Sequence, residues 1–116
     1  MSDRNVSIAL HLAKVIGLRD VETGKDRCGP VVLYTTSRDL ARIFDPRHDR
    51  AQCMEVIEWA AVNGLEPDLS QGIVRVWPTG KDYPCAVEND NTPEGVRAAA
   101  LEAVARATGW PGMVGE

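Results

Sequence analysis

The residues best suited to bind a ligand are cations gathered near the middle of the chain, before and at the start of a helix-patterned stretch. Guanidinium groups grip phosphate through paired hydrogen bonds, and free amides at a helix N-terminus also bind anions. The alternative is a solvated surface of mixed charge, because aspartates are interleaved with the cations and Asp49 would cap the same helix amides. The candidate anion-binding residues are Arg38, Arg42, Arg47, His48 and Arg50.

A second set of side chains could contact a partner protein. Tryptophan is enriched at binding hot spots, so two tryptophans exposed together would form an interaction patch. In the alternative, each tryptophan closes an edge of the core. The acidic residues that precede the last helix-patterned stretch could extend the patch or simply complement the helix dipole. The candidate protein-interaction residues are Trp77, Trp110, Glu88, Asp90 and Glu94.

The sequence contains no constellation typical of an enzyme. Cys28 lies near Lys25 and Arg27, and nearby cations lower the pKa of a thiol, but no histidine or aspartate is placed to assist it. His11 and His48 are isolated from other ligands, and two distant histidines cannot complete a zinc site. Phosphate-loop and nucleophile-elbow motifs are missing from the sequence. We therefore expect no catalytic residues, no metal site and no cofactor.

Three helix-patterned stretches should position these residues, and each ends at a glycine followed by a large apolar residue. That pair is typical of a left-handed C-cap, in which the apolar residue folds back onto position C3 of the helix. The pattern predicts helices over residues 3–16, 49–63 and 93–108. The capping pairs are Gly17-Leu18, Gly64-Leu65 and Gly109-Trp110, and C3 is an alanine in each case, Ala13, Ala60 and Ala105.

Strand-like sequence fills the gaps between the helices. A short polar strand, a turn over residues 23–26 and a strand over residues 31–35 come first, followed by one or two helical turns over residues 37–43. A second hairpin is predicted from residues 72–78 and 83–88. Because the better strands are apolar on both faces, we predict an α+β fold, a three-layer α/β/α-type sandwich in which three main helices cover an antiparallel sheet of about four strands. Residues 1–116 would form a single domain, with a frayed tail at residues 111–116.

Composition narrows the function classes. A net charge of −4 in 116 residues argues against a sequence-independent nucleic-acid binder, which needs clustered cations. Three widely spaced cysteines and a first segment unlike a secretion signal predict a reduced, intracellular protein. No apolar run approaches the roughly 20 residues that span a bilayer, so we expect no membrane association.

Two segments of the chain resemble small bacteriophage proteins of the phage ABA-sandwich type. Residues 43–65, IFDPRHDRAQCMEVIEWAAVNGL, contain a D-P-x-x-D turn that leads into a helix ending in Gly-Leu. After a tryptophan-bearing strand, residues 91–109, NTPEGVRAAALEAVARATG, match the closing T-P helix. Gly95 departs from that pattern, because a helix would favour alanine or leucine there. The resemblance implies a phage or prophage protein in the host bacterial cytoplasm and brings no catalytic residues with it.

The expected function is therefore that of a non-catalytic accessory protein that binds and blocks a host bacterial protein, for example a component of antiviral defence. Three alternatives stay open. The first is an oligomeric binder, or sponge, of a phosphorylated small molecule such as a signalling nucleotide, held near Arg38–Arg50. The second is a virion or assembly protein, and the third is an enzyme centred on Cys28 or His48.

Overall fold

The computed structural model describes residues 2–112, which contain three α-helices and six β-strands. The chain divides into two compact units at the junction between Asp45 and Pro46. Residues 113–116, which belong to the predicted frayed tail, lie outside the described residues. The single domain over residues 1–116 stays a prediction.

The first unit consists of one helix packed on a small antiparallel sheet. Helix α1 contacts the first two strands, and strand order in the sheet follows chain order. The largest fully buried side chains of this unit come from the helix, from the central strand and from the residue after the last strand, and they are Leu12, Val32 and Phe44. The elements are α1 (Asp3–Val15), β1 (Arg19–Asp26), β2 (Gly29–Thr35) and β3 (Ala41–Ile43).

The turn predicted over residues 23–26 is wrong, because those residues belong to β1. The reversal comes later, at Arg27 and Cys28, and Asp26 pairs with Gly29 across it. The Asp26 carboxylate accepts a hydrogen bond of 2.8 Å from the Cys28 amide and so stabilises the turn. Gly24 is a strand residue with a packing role, since a Cβ there would lie 2.8 Å from a methyl group of Leu33 on β2.

The helical turns predicted over residues 37–43 are also wrong. A turn follows β2, in which the Thr36 hydroxyl accepts the amides of Arg38 and Leu40 and Asp39 has a φ of 62°. The chain then pairs with β2 as the short strand β3. Threonine competes for local backbone amides, and this favours a turn over the start of a helix.

The second unit pairs a three-stranded antiparallel sheet with two helices. Its strand order also follows chain order, α3 packs on the last two strands, and α2 contacts α3. The hairpin predicted from residues 72–78 and 83–88 is present as β5 and β6, whereas β4 has no counterpart in the prediction. The elements are α2 (Arg50–Val62), β4 (Asp68–Ser70), β5 (Ile73–Val76), β6 (Cys85–Glu88) and α3 (Pro93–Ala107).

The α+β class and the three helices are confirmed. In place of one sheet of about four strands, the described residues contain two three-stranded sheets, one in each unit. The added strands, β3 and β4, are each three residues long and exposed throughout. Neither therefore presents the buried apolar face by which a longer strand is recognised. The three-layer sandwich stays a prediction.

All three predicted glycine caps are confirmed. In each, the amide of the apolar residue donates to the carbonyl of the predicted C3 alanine, which is fully buried, and the glycine has a positive φ. This is the hydrogen-bond pattern of a Schellman motif. The bonds are Leu18 to Ala13 at 3.0 Å, Leu65 to Ala60 at 2.7 Å and Trp110 to Ala105 at 2.9 Å.

Replacing Gly64 with alanine should destabilise the protein through backbone strain alone. The φ of Gly64 is 75°, and an added Cβ would have no neighbour within 4 Å. We expect Gly64→Ala to lower the free energy of unfolding by about 1–2 kcal/mol in urea titrations. Gly64→Asn is the control. Asparagine tolerates this conformation better than alanine, so this variant should lose less of the free energy of unfolding. Equal stabilities of the two variants would contradict this explanation.

Candidate functional site

The second unit contains an open groove of about 540 Å³ between α2, α3 and residues 66–69. We call it the α2–α3 groove. Its volume lies within the range of ligand sites in proteins, which is roughly 300–1,000 Å³. Most of its lining is apolar, with two arginines and one glutamate among the lining residues. These are Arg50, Cys53, Met54, Ile57, Glu66, Pro67, Leu69, Pro93, Val96, Arg97 and Ala100.

Two large apolar side chains of the groove face water. Met54 on α2 is 54% exposed and Leu69 on β4 is 61% exposed. Two other lining residues, Cys53 and Ala100, are buried. Covering Met54 and Leu69 would remove apolar area from water, at about 25 cal/mol per Å². The groove therefore has an apolar surface that a bound partner could bury.

The thiol in the groove is unsuited to nucleophilic chemistry. Burial raises the pKa of Cys53, and the nearby charge of Arg97 opposes this only in part. A raised pKa keeps the thiol protonated at neutral pH, and the thiolate is the nucleophilic form. Cys53 thus acts as a small apolar side chain in the wall of the groove.

Beside the groove, the structure joins members of the two predicted binding sets. Glu94, in the first turn of α3, accepts a hydrogen bond from Arg47 Nε at 3.2 Å, and His48 Nε2 lies 3.0 Å from the same oxygen. Arg97 Nε donates to the backbone carbonyl of Arg47 at 3.3 Å. One predicted protein-contact residue therefore offsets the charge of the predicted anion site. Arg50 is exposed and lines the α2–α3 groove instead.

The remaining anion candidates, Arg38 and Arg42, lie in the first unit. Both line a shallow hollow of about 390 Å³ together with Thr36, Ser37 and Leu40. The structure thus divides the five candidates between two units. The neighbouring aspartate of the turn, Asp39, is held by the Arg19 guanidinium, which also donates to the Thr36 carbonyl at 2.8 Å.

The predicted aromatic patch is divided by burial. Trp110 is only 5% exposed, and its ring lies 5.2 Å from the Arg106 guanidinium carbon. Trp77, at the end of β5, is 42% exposed, and Tyr83 in the same connection is also exposed. Glu88 is an exposed residue at the end of β6. Of the two tryptophans, only Trp77 presents a large surface to solvent.

Asp90 forms a polar cap over the start of α3. Its Oδ1 accepts the Thr92 hydroxyl at 2.6 Å and the Thr92 amide at 3.0 Å, and Thr92 Oγ1 in turn accepts the Gly95 amide at 3.0 Å. A Cβ on residue 95 would overlap Asp90 Oδ1 and lie 2.9 Å from Thr92 Oγ1. Gly95, which departs from the resemblance, is therefore the residue that leaves room for this carboxylate.

Two residues considered for catalysis or metal binding, Cys28 and His11, belong to the first unit. Cys28 is exposed in the turn between β1 and β2, within the first unit. His11 is half-buried on α1, and burial lowers its pKa. Among residues 2–112, no group of three His, Cys, Asp or Glu side chains could hold a metal ion.

No protein-family model, curated protein or solved structure matches this chain. In the described part of the chain, no helix has both the length and the apolar character needed to cross a membrane.

The sequence analysis missed the α2–α3 groove. Of its apolar lining residues on α2, Met54 is exposed and Ile57 is half-buried. A signal was present, because α2 carries more apolar positions than one core-facing stripe needs. They form one continuous stripe about 160° wide, against the roughly 100° of an ordinary core-facing stripe. They are Cys53, Met54, Val56, Ile57, Ala60 and Ala61.

Gly95→Ala should destabilise the protein even though alanine is the better helix former. The added methyl group would displace Asp90 and crowd Thr92 Oγ1, the acceptor that caps α3, so we expect a lower free energy of unfolding. In an Asp90→Ala background the loss should be smaller, because only the close approach to Thr92 remains and alanine is the better helix former. Urea unfolding of the four proteins measures this coupling. A stabilising Gly95→Ala in the wild-type background would contradict the role assigned to Asp90.

Asp90 should also make stability depend on pH. The hydroxyl and amide of Thr92, together with the charge of Arg47, hold the pKa of Asp90 below its ordinary value of 3.8. Stabilisation by the carboxylate is therefore complete at pH values above the ordinary pKa of aspartate, and it is lost as the pH falls through the lowered pKa. The stability difference between wild type and Asp90→Asn should be constant near pH 7 and shrink in acid. A difference that does not change with pH would exclude this contribution.

Proposed function

We propose that this chain is a non-catalytic binding protein that captures a segment of a partner protein in the α2–α3 groove. The observation that carries the proposal is the exposure of Met54 and Leu69 on a mostly apolar groove. Methionine is common at surfaces that adapt to apolar partners, because its unbranched side chain and polarisable sulfur fit varied shapes. The protonated thiol of Cys53 is in keeping with binding and not with nucleophilic catalysis.

The biological setting belongs to the same proposal and rests on the resemblance to phage ABA-sandwich proteins. In that setting the chain acts in the host bacterial cytoplasm, and its partner is a host protein that it blocks, for example a component of antiviral defence. The three-layer α/β/α arrangement is part of this resemblance as well. A virion or assembly role would use the same kind of surface toward a phage protein.

One observation favours a second candidate function. Arg38 and Arg42 line one hollow beside the hydroxyl-bearing Thr36 and Ser37, and guanidinium and hydroxyl groups both suit a phosphate. A phosphorylated small molecule could bind there, held between subunits of an oligomer. Arg47 and His48 contribute less to such a site, because Glu94 lies within hydrogen-bond distance of both.

The proposal predicts that one exposed apolar residue of α2 matters for binding and another does not. Tagged full-length chain is incubated with host bacterial lysate, and the bound proteins are identified by mass spectrometry. Met54→Glu should reduce capture of the partner about tenfold or more, since a charge would be buried against apolar surface. Val62→Glu is the matched control, because Val62 is 87% exposed on the same helix and does not line the groove.

Equal loss of the partner in both variants would argue against the groove, as would retention in both. Molecules released on heating are analysed from the same samples. A phosphorylated metabolite that is released from the wild type, but not from an Arg38→Ala/Arg42→Ala variant, would support the second candidate instead.

A further inference from the structure

We infer that the α2–α3 groove selects a peptide segment in which one aspartate or glutamate adjoins apolar side chains, with the carboxylate held by Arg50 and Arg97. This inference rests on the proposed function and specifies the chemistry of the partner. It is drawn from the two arginines of the groove, from the exposure of its apolar side chains and from the presence of Glu66 in its lining.

The arginines of the groove are complementary in charge to a carboxylate. Arg50 is exposed and Arg97 is half-buried, and both line the groove. Among residues 2–112, neither guanidinium has a carboxylate within salt-bridge distance, whereas the guanidinium groups of Arg19, Arg47 and Arg106 do. The Arg97 side chain is nevertheless anchored, because its Nε donates to the carbonyl of Arg47. A carboxylate from a partner would complete the charge pairing with these two arginines.

The apolar surface of the groove is open to solvent. Small-molecule sites typically bury 70–90% or more of a ligand. Met54 and Leu69 are each more than half exposed, so a free fatty acid lying against them would keep much of its chain in water. A peptide segment carried by a larger protein covers such an open surface with its own flanking residues. This favours a protein segment over an isolated amphiphile.

A glutamate in the groove limits how acidic the bound segment can be. Glu66 also lines the groove and would repel a second carboxylate placed near it. Repulsion of this kind sharpens specificity, since it penalises uniformly acidic sequences. The preferred segment therefore has a single acidic side chain near Arg50 and Arg97, and apolar side chains against Met54, Ile57 and Leu69.

A displayed library of random 12-residue peptides tests this inference with the purified full-length chain as the target. Peptides enriched by the wild type should share one acidic residue flanked by apolar residues. Their affinity should fall about tenfold in Arg50→Glu, and it should recover when the acidic residue of the peptide is changed to lysine. Lys81→Glu is the matched control, because Lys81 is exposed in the β5–β6 connection and does not line the groove. It should leave peptide affinity unchanged.

The unfolding midpoint of Arg50→Glu is measured first, so that a loss of fold is not mistaken for a loss of binding. The inference is overturned if no peptide is enriched, if the enriched peptides lack a shared acidic residue, or if Arg50→Glu binds them as tightly as the wild type. Capture of a lysate protein that depends on Met54 but shows no such acidic preference would overturn this inference and leave the proposed function standing. Enriched peptides that depend on their acidic residue and on Arg50 would support the inference even where no lysate protein is captured. That second failure would count only against the host partner named in the proposed function.

Discussion

The structure depends on one repeated interaction, the hydrogen bond from an apolar residue after a helix to a buried alanine carbonyl inside it. Ala13, Ala60 and Ala105 have no exposed surface, so each carbonyl must find its partner within the fold. The amide three residues beyond the helix supplies that partner, and the glycine just before it allows the reversal. The cap of α2 turns the chain at Leu65 and directs residues 66–69 back along the helix. One wall of the α2–α3 groove is thus set by a helix terminator.

The groove itself shows how a small unit can keep apolar side chains at its surface. Helix α3 packs on β5 and β6 through a stripe of small residues, including the buried Ala99 and Ala103. Its remaining side meets α2, whose apolar positions exceed what one core can cover. The excess remains as the exposed side chain of Met54, with arginines beside it. A binding surface therefore follows from the distribution of apolar residues on α2, without any dedicated motif.

The sequence was most informative where a local interaction decides the structure. Helix ends were predictable because Ser2, Asp49 and Thr92 cap their own first turns and glycine closes the last ones. The first hairpin turn was misplaced because Gly24 is a common turn residue. The real turn is bracketed instead by the pair Asp26 and Gly29. Strands β3 and β4 escaped prediction because each is only three residues long and exposed, although each pairs with its neighbouring strand across a short turn. The groove was missed for a different reason, since it is formed by side chains from three elements that only the fold brings together.

The contact between Asp90 and Gly95 also has an evolutionary consequence. A side chain at residue 95 would exclude the carboxylate of Asp90 and would also crowd Thr92 Oγ1. The two positions are therefore free to drift only in a fixed order, with Asp90 lost before Gly95 is replaced. Homologous sequences that carry aspartate at residue 90 should therefore keep glycine at residue 95, whereas the glycine can persist after the aspartate is lost. Joint variation at these positions would identify descendants of this helix start even where the rest of the sequence has diverged beyond recognition.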